Sequence, residues 1–82
     1  MQTHERLLTY TVAFEPDLSG GFIAFVPLLP GCMSQGETFE QARINIKDAI
    51  EGYVSVLKED GEEIPVESPE RVSASISISS AM

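Results

Sequence analysis

Apolar residues recur at steps of three and four through residues 38–61, at Phe39, Ala42, Ile46, Ala49, Ile50, Tyr53, Val54 and Leu57. At about 100° per residue these positions form one stripe, with Asp48, Glu51, Ser55 and Lys58 on the opposite side. Thr38 stands where an N-cap belongs, its hydroxyl able to accept from an unpaired backbone N–H. Gln41, three residues on, is placed to reach back and complete a capping box. Gly61 offers the left-handed conformation that ends many helices, and Pro65 follows. The pattern predicts one amphipathic helix laid on a flat apolar surface.

That surface is written in period two. Over residues 6–15, Leu8, Tyr10, Val12 and Phe14 alternate with Thr9, Thr11, Ala13 and Glu15, the mark of a half-buried strand. The segment 16–21, Pro-Asp-Leu-Ser-Gly-Gly, reverses the chain into a second strand over 22–26, more uniformly apolar and the hairpin partner of the first. Two prolines within 27–31 break the ladder, and a short third strand is expected over 32–36. After the helix come an acidic turn at 60–63, a return segment from Ile64 and a loop at 67–70. Val72, Ala74, Ile76 and Ile78 then alternate strictly with Ser73, Ser75, Ser77 and Ser79. A fourth strand is predicted there, its apolar side toward the core and its serine side toward water or another subunit. The expected fold is α+β, in the order β-β-β-α-β: a three-stranded antiparallel meander, one helix across a face, and a last strand. A right-handed crossover places that strand parallel to the first. No repeat or composition shift divides residues 1–82, which read as a single domain.

Eighty-two residues enclose a small core, so self-association would add stability. The hydrophobic fraction of 43% fits a folded chain. No apolar run approaches the ~20 residues of a membrane span. The first six residues lack the basic and apolar regions of a secretory signal, so residence in the cytoplasm is expected. The net charge is −8, from five basic and 13 acidic residues. Ten of the acids fall between Glu37 and Glu70, opposed by Arg43, Lys47 and Lys58. Such a surface repels phosphate backbones and anionic lipids, which argues against nucleic-acid or membrane partners and suits a basic protein partner. It also simply keeps a small protein soluble.

The candidate chemistry is sparse. His4, the single histidine, sits in a terminus expected to fray (residues 1–5) and has no partner in sequence. Cys32, the single cysteine, permits neither an internal disulfide nor a two-cysteine metal site. With no basic group beside it, it reads as a packed residue. Glu37 and Glu40 flank the first helical turn, where they complement the helix dipole. Asp48 and Glu51 lie on the solvated helix face, and Asp60, Glu62 and Glu63 in the turn beyond. Their spacing brings no carboxylate set into one metal site. Gly20-Gly21 precedes a strand and not a helix, so it is no phosphate cradle. No cofactor, metal or catalytic residue is expected. Two features stand out from this plain picture. Ile44 points toward the polar side of the helix. Gly52 lies inside the helix at a cost of about 1 kcal/mol relative to alanine, by close approach of another backbone or by tolerance.

Five stretches taken in order resemble the HicB-like antitoxin family: 20–24 (Gly-Gly-Phe-Ile-Ala), 26–32 (Val-Pro-Leu-Leu-Pro-Gly-Cys), 35–38 (Gln-Gly-Glu-Thr), 45–50 (Asn-Ile-Lys-Asp-Ala-Ile) and 59–61 (Glu-Asp-Gly). The likeness covers roughly residues 8–65. It implies a truncated ribonuclease-H-like fold and a role as the neutralising half of a type II toxin–antitoxin pair. The partner implied is a HicA-type toxin, a small basic ribonuclease whose active surface the antitoxin occludes, and homo-oligomers are common in the family. Many family members continue into a DNA-binding domain. This chain stops after the fourth strand, so direct DNA binding and autorepression are not expected of it. The metal-binding carboxylates of ribonuclease H have no match here, so nuclease activity is not implied. The surface expected to meet the partner comprises Glu37, Glu40, Ile44, Asp48 and Glu51. The alternative reading is a stand-alone oligomer with a structural or regulatory role and no toxin. A metal-dependent nuclease is the remote third.

Overall fold

A computed structural model of the chain describes residues 7–68 and 74–80. His4 and the expected frayed terminus lie outside the described residues, as do Val72 and Ser73 of the expected fourth strand. The first reversal begins where Asp17 accepts from both the backbone N–H (3.3 Å) and the hydroxyl (3.0 Å) of Ser19. Gly20 and Gly21 then turn the chain through positive φ. This turn joins β1 (Ala13–Pro16) to β2 (Phe22–Phe25) with Ala13 opposite Phe25 and Pro16 opposite Phe22. The second connection, 27–31, is two stacked turns. Leu29 N–H donates to Val26 O (3.1 Å) and Cys32 N–H to Leu29 O (2.9 Å), while Val26 N–H donates to Cys32 O (3.1 Å). β3 (Met33–Gly36) follows, antiparallel to β2, in the sheet order β1-β2-β3.

The helix α1 (Phe39–Glu59) begins and ends on its expected signals. Thr38 Oγ1 accepts from Gln41 N–H at 3.0 Å. The Gln41 carboxamide reaches one residue further back than the predicted box, accepting from Glu37 N–H at 3.0 Å. At the other end Gly61, at φ 69°, lets its own N–H bond Lys58 O (3.1 Å) and Glu62 N–H bond Leu57 O (2.9 Å). This double closure satisfies two of the carbonyls that a helix end leaves open. The helix packs against β3 and β2, and Asn45 donates to Gln35 O at 2.8 Å to tie it to β3. Tyr53 donates to Pro30 O at 2.9 Å. Ala24, Val26, Leu29, Cys32 and Ile46 form the buried centre, with Tyr10, Val12, Phe14, Ala49, Ile50 and Tyr53 packed around it. Phe39 lies at its edge, its ring 4.6 Å from that of Phe14 and edge-on to Phe22 at 6.0 Å.

The α+β class and the three-stranded meander agree with the sequence. The first strand is shorter than residues 6–15, for a reason that lies in its partner. In the observed register Thr11 stands level with Pro27, which has no N–H to give and turns the chain away. The alternation survives all the same: Leu8, Tyr10, Val12 and Phe14 are half-buried, and Leu7, Thr9 and Thr11 are exposed. The fourth strand expected over 72–79 is not shown. Residues 74–80 join no ladder and are exposed throughout; alternation gives a strand two faces but does not by itself bring it beside a partner strand. Gly52 is resolved in favour of tolerance, since nothing lies within 4 Å of where its Cβ would be.

Candidate partner-binding surface

The outer face of α1 carries Glu40, Ile44, Asp48 and Glu51 at helical spacing, all exposed, with Glu37 just ahead of the N-cap. Ile44 retains 59% of its surface and stands apolar among the acids. Two cations share the neighbourhood. Arg43 approaches Glu40 at 3.5 Å, both side chains well exposed, so this pair orders the surface little. Lys47 lies with Arg43, Ile44 and Glu51 along one rim of a cleft. The helix face is therefore acidic but mixed, and denser in acid toward its far end, where Glu59, Asp60, Glu62 and Glu63 are exposed.

Three of the five sequence-predicted residues border one of two hollows, and the other two border neither. Ile44 and Glu51 border the cleft, whose other wall is Leu8, Tyr10, Val12 and Phe14 and whose floor includes Ile46 and Ile50. Glu37 lines a separate polar hollow of about 490 Å³, with Asp17, Gln35 and Asn45. Glu40 and Asp48 border neither. The cleft, about 720 Å³, is the feature that sequence reasoning missed. Its apolar residues were visible as a strand pattern and a helix stripe. Nothing in that pattern says that α1 settles over β2 and β3 and leaves a gap beside residues 8–14.

No group of three His, Cys, Asp or Glu side chains comes together among the described residues. Cys32 is buried, 5% exposed, and loss of hydration pushes its thiol above the usual 9.0. It is therefore held as the neutral thiol at neutral pH, where the thiolate is the reactive form. In the folded protein at pH 8, labelling by a soluble aromatic disulfide is expected to be more than about tenfold slower than in denaturant. Equal rates in the two conditions would show that Cys32 is open to solvent. Because the folded thiol has the raised pKa, this packing contributes fully at neutral pH and is lost as the solution becomes alkaline enough to ionise it.

No helix among the described residues is long and apolar enough to cross a membrane. A protein named UPF0150 protein ssr1765 from Synechocystis is 46% identical over 65 residues, covering 79% of this chain and 82% of its own. UPF0150 protein Ta0767 from Thermoplasma acidophilum is 43% identical over 65 residues, covering 79% and 94%. An uncharacterized 14.9 kDa protein of Haemophilus phage HP1 is 36% identical over 62 residues, covering 76% of this chain and 46% of the phage protein. The profile described as HicB-like antitoxin of bacterial toxin–antitoxin systems matches residues 10–78, from Tyr10 at the cleft wall through Ile78. With this match spanning the sheet, the helix and the segment beyond, the chain belongs to the HicB-like antitoxin family.

Proposed function

We propose that this chain is the neutralising member of a toxin–antitoxin pair and acts by masking a small basic HicA-type ribonuclease. The observation that carries the reading is membership in an antitoxin family over residues 10–78, which also points to a binding role and not an enzymatic one. The surface is of the right kind. A net charge of −8 attracts a basic partner, and complementary charge raises encounter rates and suppresses wrong partners. On α1, Glu40, Asp48 and Glu51 lie along the same helix face as the exposed Ile44, and an apolar anchor with charged neighbours is common at protein interfaces. Glu37 extends the acidic edge past the N-cap. The cytoplasm, where the substrate of such a ribonuclease is found, is the compartment this role requires. Residues 1–82 act in it as one domain.

The first experiment is capture of partners from the native host with this protein as bait, read by mass spectrometry. A stoichiometric small basic protein is the expected result. The double substitution Asp48→Lys with Glu51→Lys is then expected to slow association with that protein about tenfold or more at low salt, with a smaller change in dissociation rate. An unchanged association rate would remove this face from the interface. Recovery of the bait alone, as an oligomer, would favour the second reading, a stand-alone oligomeric protein, which draws on the exposed apolar side of residues 74–80.

A further inference from the structure

We propose that β3 is the edge at which a basic protein partner adds an extended strand, its apolar side chains seated in a groove between β3 and α1. The ladder dictates which groups are on offer. Val26 N–H donates to Cys32 O at 3.1 Å, so by alternation the bonded pairs of β2 and β3 are Ala24 with Ser34 and Phe22 with Gly36. Met33 and Gln35, at the intervening positions, turn their N–H and C=O groups outward. One of these carbonyls, Gln35 O, accepts from Asn45. The others face no strand, since β3 pairs only with β2 among the described residues. Edge strands are commonly guarded by a charge or a proline, and β3, Met-Ser-Gln-Gly, has neither. Beside this edge runs the groove, about 460 Å³, with Gly31 and Met33 on one side and Ala49, Gly52, Val56 and Leu57 on the other. Met33 and Val56 leave 59% and 55% of their surface in water. Gly52 leaves open space where another residue would place a side chain. An added strand gains main-chain bonds at the edge, and the groove takes its alternate side chains.

Charge identifies the occupant. At about 100° per residue, Asp48 and Glu59 lie within about 40° of Gly52 around α1, whereas Arg43, Lys47 and Lys58 lie about 120° or more away. The helix lip of the groove is therefore acidic, and Asp48 joins it to the acidic face of α1. A second copy, at net charge −8, brings like charge to this lip, and the segment 74–80 carries no charge to answer it. A strand that alternates apolar and basic residues satisfies both groove and lip. That the strand belongs to a small basic protein rests on the function proposed above; the groove's preference for such a strand does not.

NMR titration of the isotope-labelled protein with a short, end-capped peptide alternating lysine and valine, at physiological ionic strength, tests it. Saturable shifts in the amide resonances of Met33, Gln35, Gly52 and Val56 are expected. A lysine–serine peptide of the same charge should bind at least about tenfold more weakly, because it leaves the groove empty. Gly52→Leu fills the groove from the helix side and should weaken the lysine–valine peptide at least about tenfold. That variant should melt no lower than wild type, since leucine is the better helix former and has room. An absence of saturable shifts, shifts confined to other residues, equal affinity for the two peptides, or undiminished affinity in the leucine variant would each overturn the proposal. So would a Gly52→Leu protein that loses self-association and keeps the peptide, which would assign the groove to a second copy. Capture with wild-type and Gly52→Leu baits separates this contact from the function proposed above. No basic partner on the wild-type bait refutes that function, while equal recovery on both baits refutes the groove as the point of contact.

Discussion

Replacing Gly36 by alanine is expected to cost about 3 kcal/mol or more, because the added methyl group meets backbone and not side chain. Its Cβ would stand 2.8 Å from both Ala42 Cα and Gln41 C, and closer still to Ala42 N. Neither partner has room to move. Gln41 N–H is held by Thr38, the Gln41 side chain by Glu37 N–H, and Ala42 is fully buried against the sheet. Relief would require lifting the first turn of α1 off β3, which breaks the cap and opens the core together. In a domain whose total stability is about 5–15 kcal/mol, such a loss is large. Thermal melts at matched protein concentration should show Tm lowered by roughly 15 °C or more. Gly52→Ala is the control. It lies in the same helix with open space around it, and it should stabilise by about 0.5–1 kcal/mol through helix propensity alone. A Gly36→Ala protein that melts within a few degrees of wild type would mean that α1 does not sit this close to β3.

Truncating Leu29 to alanine should remove about 3 kcal/mol, within the range for a fully buried leucine whose cavity cannot collapse. Leu29 is 0% exposed although it lies in the connection between β2 and β3. Its backbone is fixed on both sides, by the bond from its N–H to Val26 O and by the bond its carbonyl accepts from Cys32. The loop therefore cannot sink to fill the void. Leu28, only half-buried, should cost about 1 kcal/mol when truncated, in proportion to the smaller apolar area it hides. Urea titrations of the two variants give the comparison directly. Equal losses at the two leucines would contradict the inward placement of Leu29.

Those two leucines show where sequence reading stops. In Pro-Leu-Leu-Pro-Gly the prolines announce a break in the ladder, but no period survives to tell which leucine faces inward. Two successive turns decide it. The helix was legible almost to the residue, because its signals are local: a stripe, a cap at Thr38 and a stop at Gly61. The role of Cys32 as a packed residue was legible for the same reason. The first strand was overextended because its side-chain alternation is real while its ladder depends on a partner that Pro27 cuts short. Gly36 and Gly52 carry the same letter and opposite meanings. One lies where two backbones meet, the other in open space, and that difference is absent from the chain's own pattern. Of the candidate surface, the acids Glu40, Asp48 and Glu51 and the misplaced Ile44 were readable from helical spacing, and so was their exposure. The cleft beside them was not.

By itself the sequence determined the element types, their order through the helix, the family, and the acidic charge. Each of these follows from local periodicity, capping and composition, which act over a few residues at a time. Only the tertiary structure decided that α1 lies over β2 and β3, that a cleft opens beside residues 8–14, and that Ile76 and Ile78 remain in water. These depend on how far apart separate elements come to rest once close packing around Ala24, Leu29 and Ile46 is satisfied. An alternating segment carries an apolar face wherever it goes. Which surface receives that face is fixed by the shape of the remaining fold and not by the alternation itself.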